Sequence, residues 1–90
     1  MVGFIVTWDV DSSDVKQCTR LRFFVFGRKV TSSGRTYVYR GFVERDGVRY
    51  LGQSVLFVTA VRLAEVRSFL LREKIQHVVT EATLGRILFR

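Results

Sequence analysis

The stretch Tyr37–Phe57, YVYRGFVERDGVRYLGQSVLF, reads as two alternating strands around Asp46-Gly47. Asp-Gly between alternating runs is a strong local hairpin signal, because a type I′ turn needs positive φ at both central positions. With Asp46 and Gly47 as the turn, Arg45 pairs with Val48. Stepping outward, Glu44 faces Arg49, Val43 faces Tyr50 and Phe42 faces Leu51. Gly41 then faces Gly52, Arg40 faces Gln53, Tyr39 faces Ser54 and Val38 faces Val55. Val38, Phe42, Leu51, Val55 and Phe57 share one side and are the expected core. Tyr37, Tyr39, Gly41 and Val43 share the other with Tyr50, Gly52, Ser54 and Leu56. Glycine in a strand interior loses packing and costs conformational entropy. Facing glycines among tyrosines therefore predict either a notch where a ligand's backbone or base comes close, or a bulge in a coiled hairpin.

Upstream, residues 2–10 alternate and read as a strand, with Phe4, Val6 and Trp8 on one face and Ile5, Thr7 and Asp9 on the other. Ser12 or Ser13 is placed to cap a helix whose first turn holds Asp14. Residues 13–26 read as that helix, with Val15, Cys18, Leu21, Arg22 and Val25 in a stripe and Gly27 as its end. The alternative over 19–30 is a strand, in which Leu21, Phe23 and Val25 oppose Arg20, Arg22, Phe24 and Phe26. The segment 31–34, TSSG, is a turn or loop. Downstream, Thr59 precedes a second helix in which Ala60, Leu63, Val66, Phe69 and Leu70 recur at helical spacing. Arg62, Arg67, Arg72 and Lys74 lie elsewhere on that helix, with Glu65 and Glu73. IQHVVT is a closing strand, and RILFR either continues it or pairs with it after Gly85. The order predicts one domain over 1–90 with an α+β, ferredoxin-like βαββαβ fold: an antiparallel sheet with two helices on one face.

The composition bounds the partners. Ninety residues with 48% hydrophobic content bury a modest core, and fifteen Lys/Arg against eight Asp/Glu leave a net charge of +7. Twelve of the fifteen are Arg, which suits planar, bidentate contacts and stacking. That balance points to nucleic acid as partner, with an acidic protein or a merely solvated surface as the other readings. The lone cysteine, Cys18, forms no internal disulfide and reads as a small core residue, so no oxidising compartment is implied. The opening MVGFIVTWDV has no basic leader and meets Asp9 early. No signal peptide or membrane span is expected, and an intracellular, cytoplasmic setting is.

In a ferredoxin-like arrangement the sheet face away from the helices stays open. It would show Phe4, Trp8, Tyr37, Tyr39 and Tyr50, with Arg35 and Arg45 at its edges. Aromatic faces stack unpaired bases, and arginines meet phosphates. The candidate nucleic-acid-binding set is therefore Trp8, Arg35, Tyr37, Tyr39, Arg40, Arg45, Arg49 and Tyr50, with Arg40 and Arg49 reaching round from the covered face. No basic-Gly-aromatic RNA-recognition signature stands on VRYLGQSVLFV. The expected role is a non-catalytic contact with single-stranded DNA or RNA. The same face can instead seal a homodimer or a larger assembly of identical subunits. A third reading is a metal-dependent nuclease using Asp9 with Glu44, to which Asp11 and Asp14 would add oxygen ligands unless they serve the helix cap. No cofactor is expected: there is no phosphate-binding glycine loop, zinc spacing or Ser/His/Asp set. His77, the only histidine, reads as structural.

Two resemblances follow from particular motifs. FIVTW is similar to the first strand of the replication-initiator endonuclease domain of small circular single-stranded DNA viruses and plasmids, the His-hydrophobic-His family. VERDGVRYLGQSVLF has the layout of that family's next motif, with Glu44 where its acid falls, and RLAEVRSFLL resembles the helix that follows. Tyr50 stands where a metal-binding His belongs, Gly52-Gln53 reverse the family's order, and no later Tyr supplies a nucleophile. The resemblance implies a ferredoxin-like, DNA-binding protein without nicking activity, of viral or mobile-element type. TWDVD and GQSVLF also resemble the small dimeric nuclease-like subunit of CRISPR adaptation, which implies Asp9 as a metal-binding acid.

Overall fold

The computed structural model describes residues 2–85, so RILFR lies outside the described residues. The chain is α+β. Its elements are β1 (Val2–Asp9), α1 (Val15–Phe26), β2 (Gly27–Ser32), β3 (Arg35–Arg40), a 3-10 turn (Phe42–Glu44), β4 (Val48–Gly52), β5 (Val55–Val58), α2 (Ala60–Arg72) and β6 (Gln76–Thr83). Four strands form an antiparallel sheet in the order β4-β5-β1-β6, and β2 and β3 form a separate two-stranded ribbon. There are thus six strands in two sheets, where the sequence reading expects four in one. The chain divides into two compact units, one built from the residues up to Val10 and from Gly47 onward, the other from Asp11–Asp46.

In the first unit, β1 pairs with β5 on one side and with β6 on the other. Residues opposite each other in an antiparallel pair share a face. Val6 and Leu56 therefore lie together, as do Val48 and Val58, while Ile5 and Phe57 lie on the reverse. Leu56, Phe57 and Val58 are all 0% exposed. β5 is consequently closed on both faces, as an unbroken apolar run such as VLFV requires. The expected open sheet face is absent there. α2 packs on β1, β5 and β6 and buries Val66, Phe69 and Leu70. Thr59 holds its N-cap position, as expected, without a side-chain capping bond; its backbone N–H donates to the Gly47 carbonyl at 2.9 Å.

The hairpin expected at Asp46-Gly47 does not form. β4 pairs with β5 through the two-residue turn Gln53-Ser54, and the register shifts between Tyr50 and Gly52, leaving Leu51 as a bulge. Gly47 has φ +84° and turns the chain into β4. Residues 42–44 are helical, so the strand that would have paired with β4 is broken before it can do so. β3 instead pairs with β2, its nearest neighbour in sequence, through Ser33-Gly34. Of the expected core, Phe42 and Phe57 are buried and Val55 is half-buried, but Val38 and Leu51 are exposed.

The second unit begins with a loop held by its own side chains. Asp14, rather than Ser12 or Ser13, is the N-cap of α1, and its carboxylate accepts from the Gln17 N–H at 3.0 Å. Asp11 accepts from the Ser13 hydroxyl at 2.7 Å and the Ser13 N–H at 2.9 Å, and these bonds hold its carboxyl below the ordinary range. Asp14 thus serves the helix start, and Asp11 holds the loop that precedes it. The Cys18 thiol, half-buried, donates to the Asp11 carbonyl at 3.5 Å. α1 spans nearly the expected range and stops at Gly27 (φ +80°), whose N–H donates to the Phe23 carbonyl. Only Leu21 and Val25 of its apolar stripe are buried; Val15 and Arg22 are exposed.

Candidate nucleic-acid interface

The β2–β3 ribbon is built from GRKVTS and RTYVYR. Ser33 (φ 51°) and Gly34 (φ 78°) both lie in the left-handed region, which a two-residue type I′ turn demands. The register opposes Arg28 to Tyr39, Val30 to Tyr37 and Ser32 to Arg35 on one face. Gly27 opposes Arg40, Lys29 opposes Val38, and Thr31 opposes Thr36 on the other. Every residue from 31 to 40 is exposed, as are Arg28 and Lys29. Residues 27–43 hold four cations and no acidic side chain.

The base of the ribbon is clamped to the end of α1. A Cβ on Gly41 would sit 2.3 Å from the Phe26 carbonyl carbon and 2.4 Å from the Val25 oxygen; one on Gly27 would sit 2.2 Å from the Tyr39 oxygen and 2.7 Å from the Gly41 nitrogen. Gly41 does face a glycine, but it is Gly27 and not Gly52, which has open space around it. The glycines let the helix end and the returning strand touch backbone to backbone. The Glu44 carboxylate accepts from the Gly41 N–H at 2.9 Å, and Phe42 stacks on Phe24 with ring centroids 5.1 Å apart. The Arg28 guanidinium lies between two rings, 5.0 Å from Phe23 and 5.4 Å from Tyr39, within cation–π range. Arg28 is nevertheless exposed to solvent.

The eight candidate residues part company. Arg35, Tyr37 and Tyr39 stand together on one ribbon face, with the tyrosines 47% and 54% exposed, and Arg40 stands on the other face. Arg45 follows the 3-10 turn and is exposed. Arg49 and Tyr50 belong to β4 in the first unit; both are exposed and, as neighbours on a strand, point to opposite faces. Neither Arg40 nor Arg49 is covered. Trp8 is a correction: it shares the Val6 face of β1 and is only 9% exposed, so its ring is core and offers no stacking surface. Trp8 was expected outside because alternation tells which side chains share a face but not which face is covered. Arg28 and Lys29 are binding candidates the sequence reading leaves out. The signal was Ser33-Gly34 flanked by RKVTS and RTYVY, a hairpin pattern overshadowed by Asp46-Gly47.

Other chemistry is sparse. No group of three or more His, Cys, Asp or Glu able to hold a metal occurs among the described residues, and Glu44 is engaged with Gly41. His77 is half-buried with its Nδ1 2.9 Å from the Ile75 carbonyl, a structural bond at the start of β6. No helix among the described residues is long and apolar enough to cross a membrane. No family model, curated protein or solved structure matches the chain.

Proposed function

We propose that this chain is a small, non-catalytic nucleic-acid-binding protein whose contact surface is the β2–β3 ribbon. The observation that carries the reading is an exposed two-stranded element holding Arg28, Lys29, Arg35 and Arg40 with Tyr37 and Tyr39 and no acid. A polyanion is the partner that such a surface favours, since each phosphate neutralised releases counterions. The resemblance of FIVTW and VERDGVRYLGQSVLF to replication-initiator domains supports the same partner and an intracellular, virus- or mobile-element-associated setting.

The first unit supports a ferredoxin-like core as the finer reading of the fold. α2 joins β5 to β6, both strands run antiparallel to β1, and β1 lies between them, which is a split β-α-β unit. The ribbon is then an addition to that plan. A homo-oligomer has one observation in its favour: β6, eight residues long, ends the sheet among the described residues, and a long edge strand is a template for a further strand.

The test is equilibrium binding of nuclease-treated, purified protein to labelled oligonucleotides across a salt series. Log affinity should fall linearly with log salt, at about 0.9 per duplex phosphate contacted or about 0.7 on a single strand. Replacing Arg28, Lys29, Arg35 and Arg40 together by Gln should abolish binding while leaving the circular dichroism spectrum intact. Undiminished binding by that variant, or none by the parent protein, overturns the reading. Molar mass measured in the same preparation reports the oligomer.

A further inference from the structure

The cations of the ribbon are divided evenly between its faces. Arg28 and Arg35 stand with the tyrosines; Lys29 and Arg40 stand on the reverse with Thr31, Thr36 and Val38. A platform for a single strand needs one aromatic face rimmed by positive charge, and its other face normally packs against the protein. Here both faces are exposed. A polymer that presents phosphates to both sides of an inserted element has two walls, which is the geometry of a duplex groove.

Dimensions select the groove. Six residues per strand at about 3.3 Å each make a ribbon about 20 Å long, with its strands about 4.8 Å apart. The B-DNA major groove is about 12 Å wide and admits a two-stranded ribbon, whereas the major groove of A-form RNA is too narrow to read and the B-DNA minor groove is about half as wide. The turn Ser33-Gly34 is flanked first by the Ser32–Arg35 pair and then by the Thr31–Thr36 pair, so short hydroxyl side chains share the tip with Arg35. The Thr31 and Thr36 hydroxyls lie 3.4 Å apart across the strands. Such hydroxyls can donate to or accept from base edges in the groove. The cations project from both faces of the ribbon, where the walls would be, and Arg28 lies within cation–π range of both Phe23 and Tyr39 at the ribbon's base.

We propose that the β2–β3 ribbon lies along the major groove of double-stranded DNA, with one pair of cations toward each phosphate wall. The inference rests on the ribbon being the nucleic-acid contact and adds which polymer and which groove.

The test compares full-length protein on a labelled DNA duplex, the same sequence as a single strand, and the corresponding RNA duplex, by fluorescence anisotropy. The DNA duplex is expected to bind at least about ten-fold tighter than either alternative. The pair Arg28→Gln/Arg35→Gln and the pair Lys29→Gln/Arg40→Gln should each weaken duplex binding and each lower the salt slope by about 1.8, two phosphates at about 0.9. Methylating guanine N7, in the major groove, should block binding, and a minor-groove ligand should not compete. Equal or tighter binding to the single strand, loss from one pair alone, or competition by the minor-groove ligand overturns the groove assignment while the nucleic-acid reading stands. Absence of binding to all three polymers overturns both.

Discussion

The β2–β3 ribbon and the β4–β5 hairpin are both joined by two residues, Ser33-Gly34 in one and Gln53-Ser54 in the other, yet their strands meet opposite environments. β5 is VLFV, apolar at every position, and three of its four side chains are wholly buried. β3 is RTYVYR, in which cations and a threonine flank a Tyr-Val-Tyr run, and none of its side chains is buried. The same turn length thus serves a core element and a surface element. What separates them is whether the side chains can tolerate loss of water on both faces: Leu, Phe and Val can, and an arginine without a partner cannot.

The contrast breaks or holds first at the aromatic residues. Phe57→Ala should cost about 3–5 kcal/mol, because a buried ring is lost and the cavity collapses only partly. Tyr37→Ala should change stability by no more than about 0.5 kcal/mol, because nearly half of that residue is already in water. Urea unfolding of both variants decides it; comparable losses would mean that the ribbon is a core element.

The glycines sharpen the comparison next. Gly41→Ala forces a methyl group against the Val25 and Phe26 backbone and should cost about 1–3 kcal/mol. Gly52→Ala, beside the β4–β5 bulge, meets open space and should lie between neutral and a gain of about 1 kcal/mol from a less flexible unfolded chain. Thermal melts that rank these two the other way would refute the Gly27–Gly41 clamp and restore Gly52 as the constrained position.

Smaller effects belong to the turn and the loop. Ser33→Asn creates Asn-Gly, the preferred type I′ pair, and should slow amide hydrogen exchange in β2 and β3 while β4 and β5 exchange as before. Asp11 supplies the pH dependence. Its folded carboxyl titrates below the ordinary value because the Ser13 hydroxyl and N–H donate to the charged form. A depressed folded value means that the contribution is complete above the ordinary carboxylate range and is lost as pH falls through the folded value. An NMR titration should find Asp11 below an ordinary Asp, and Ser13→Ala should move it back up. A normal value in the parent protein would remove the loop interaction.

Much of the local structure was legible. Helical spacing marked α2, Gly27 marked the end of α1, and alternation marked β1 and the tyrosine strand. Tyr37 and Tyr39 share an exposed face, as alternation indicates, and Arg35 stands on it with them. Trp8 and the Gly41–Gly52 pair were not, because each depends on a partner distant in sequence.

By itself the sequence determined the net charge, the cluster of cations and tyrosines between residues 27 and 45, the second helix and the positions able to turn. These are properties of short windows, set by side-chain charge, helix capping and backbone freedom. Tertiary structure alone decided which strand lies beside which, that Gly41 meets Gly27, that Trp8 is enclosed, and that both faces of the ribbon are open. Two turn signals competed for one strand, and local propensity ranks such signals without knowing what each pairing leaves for the rest of the chain. Pairing β3 with β2 freed β4 to pair with β5, whose apolar side chains then left water on both faces, and that burial outweighs any difference between two turns.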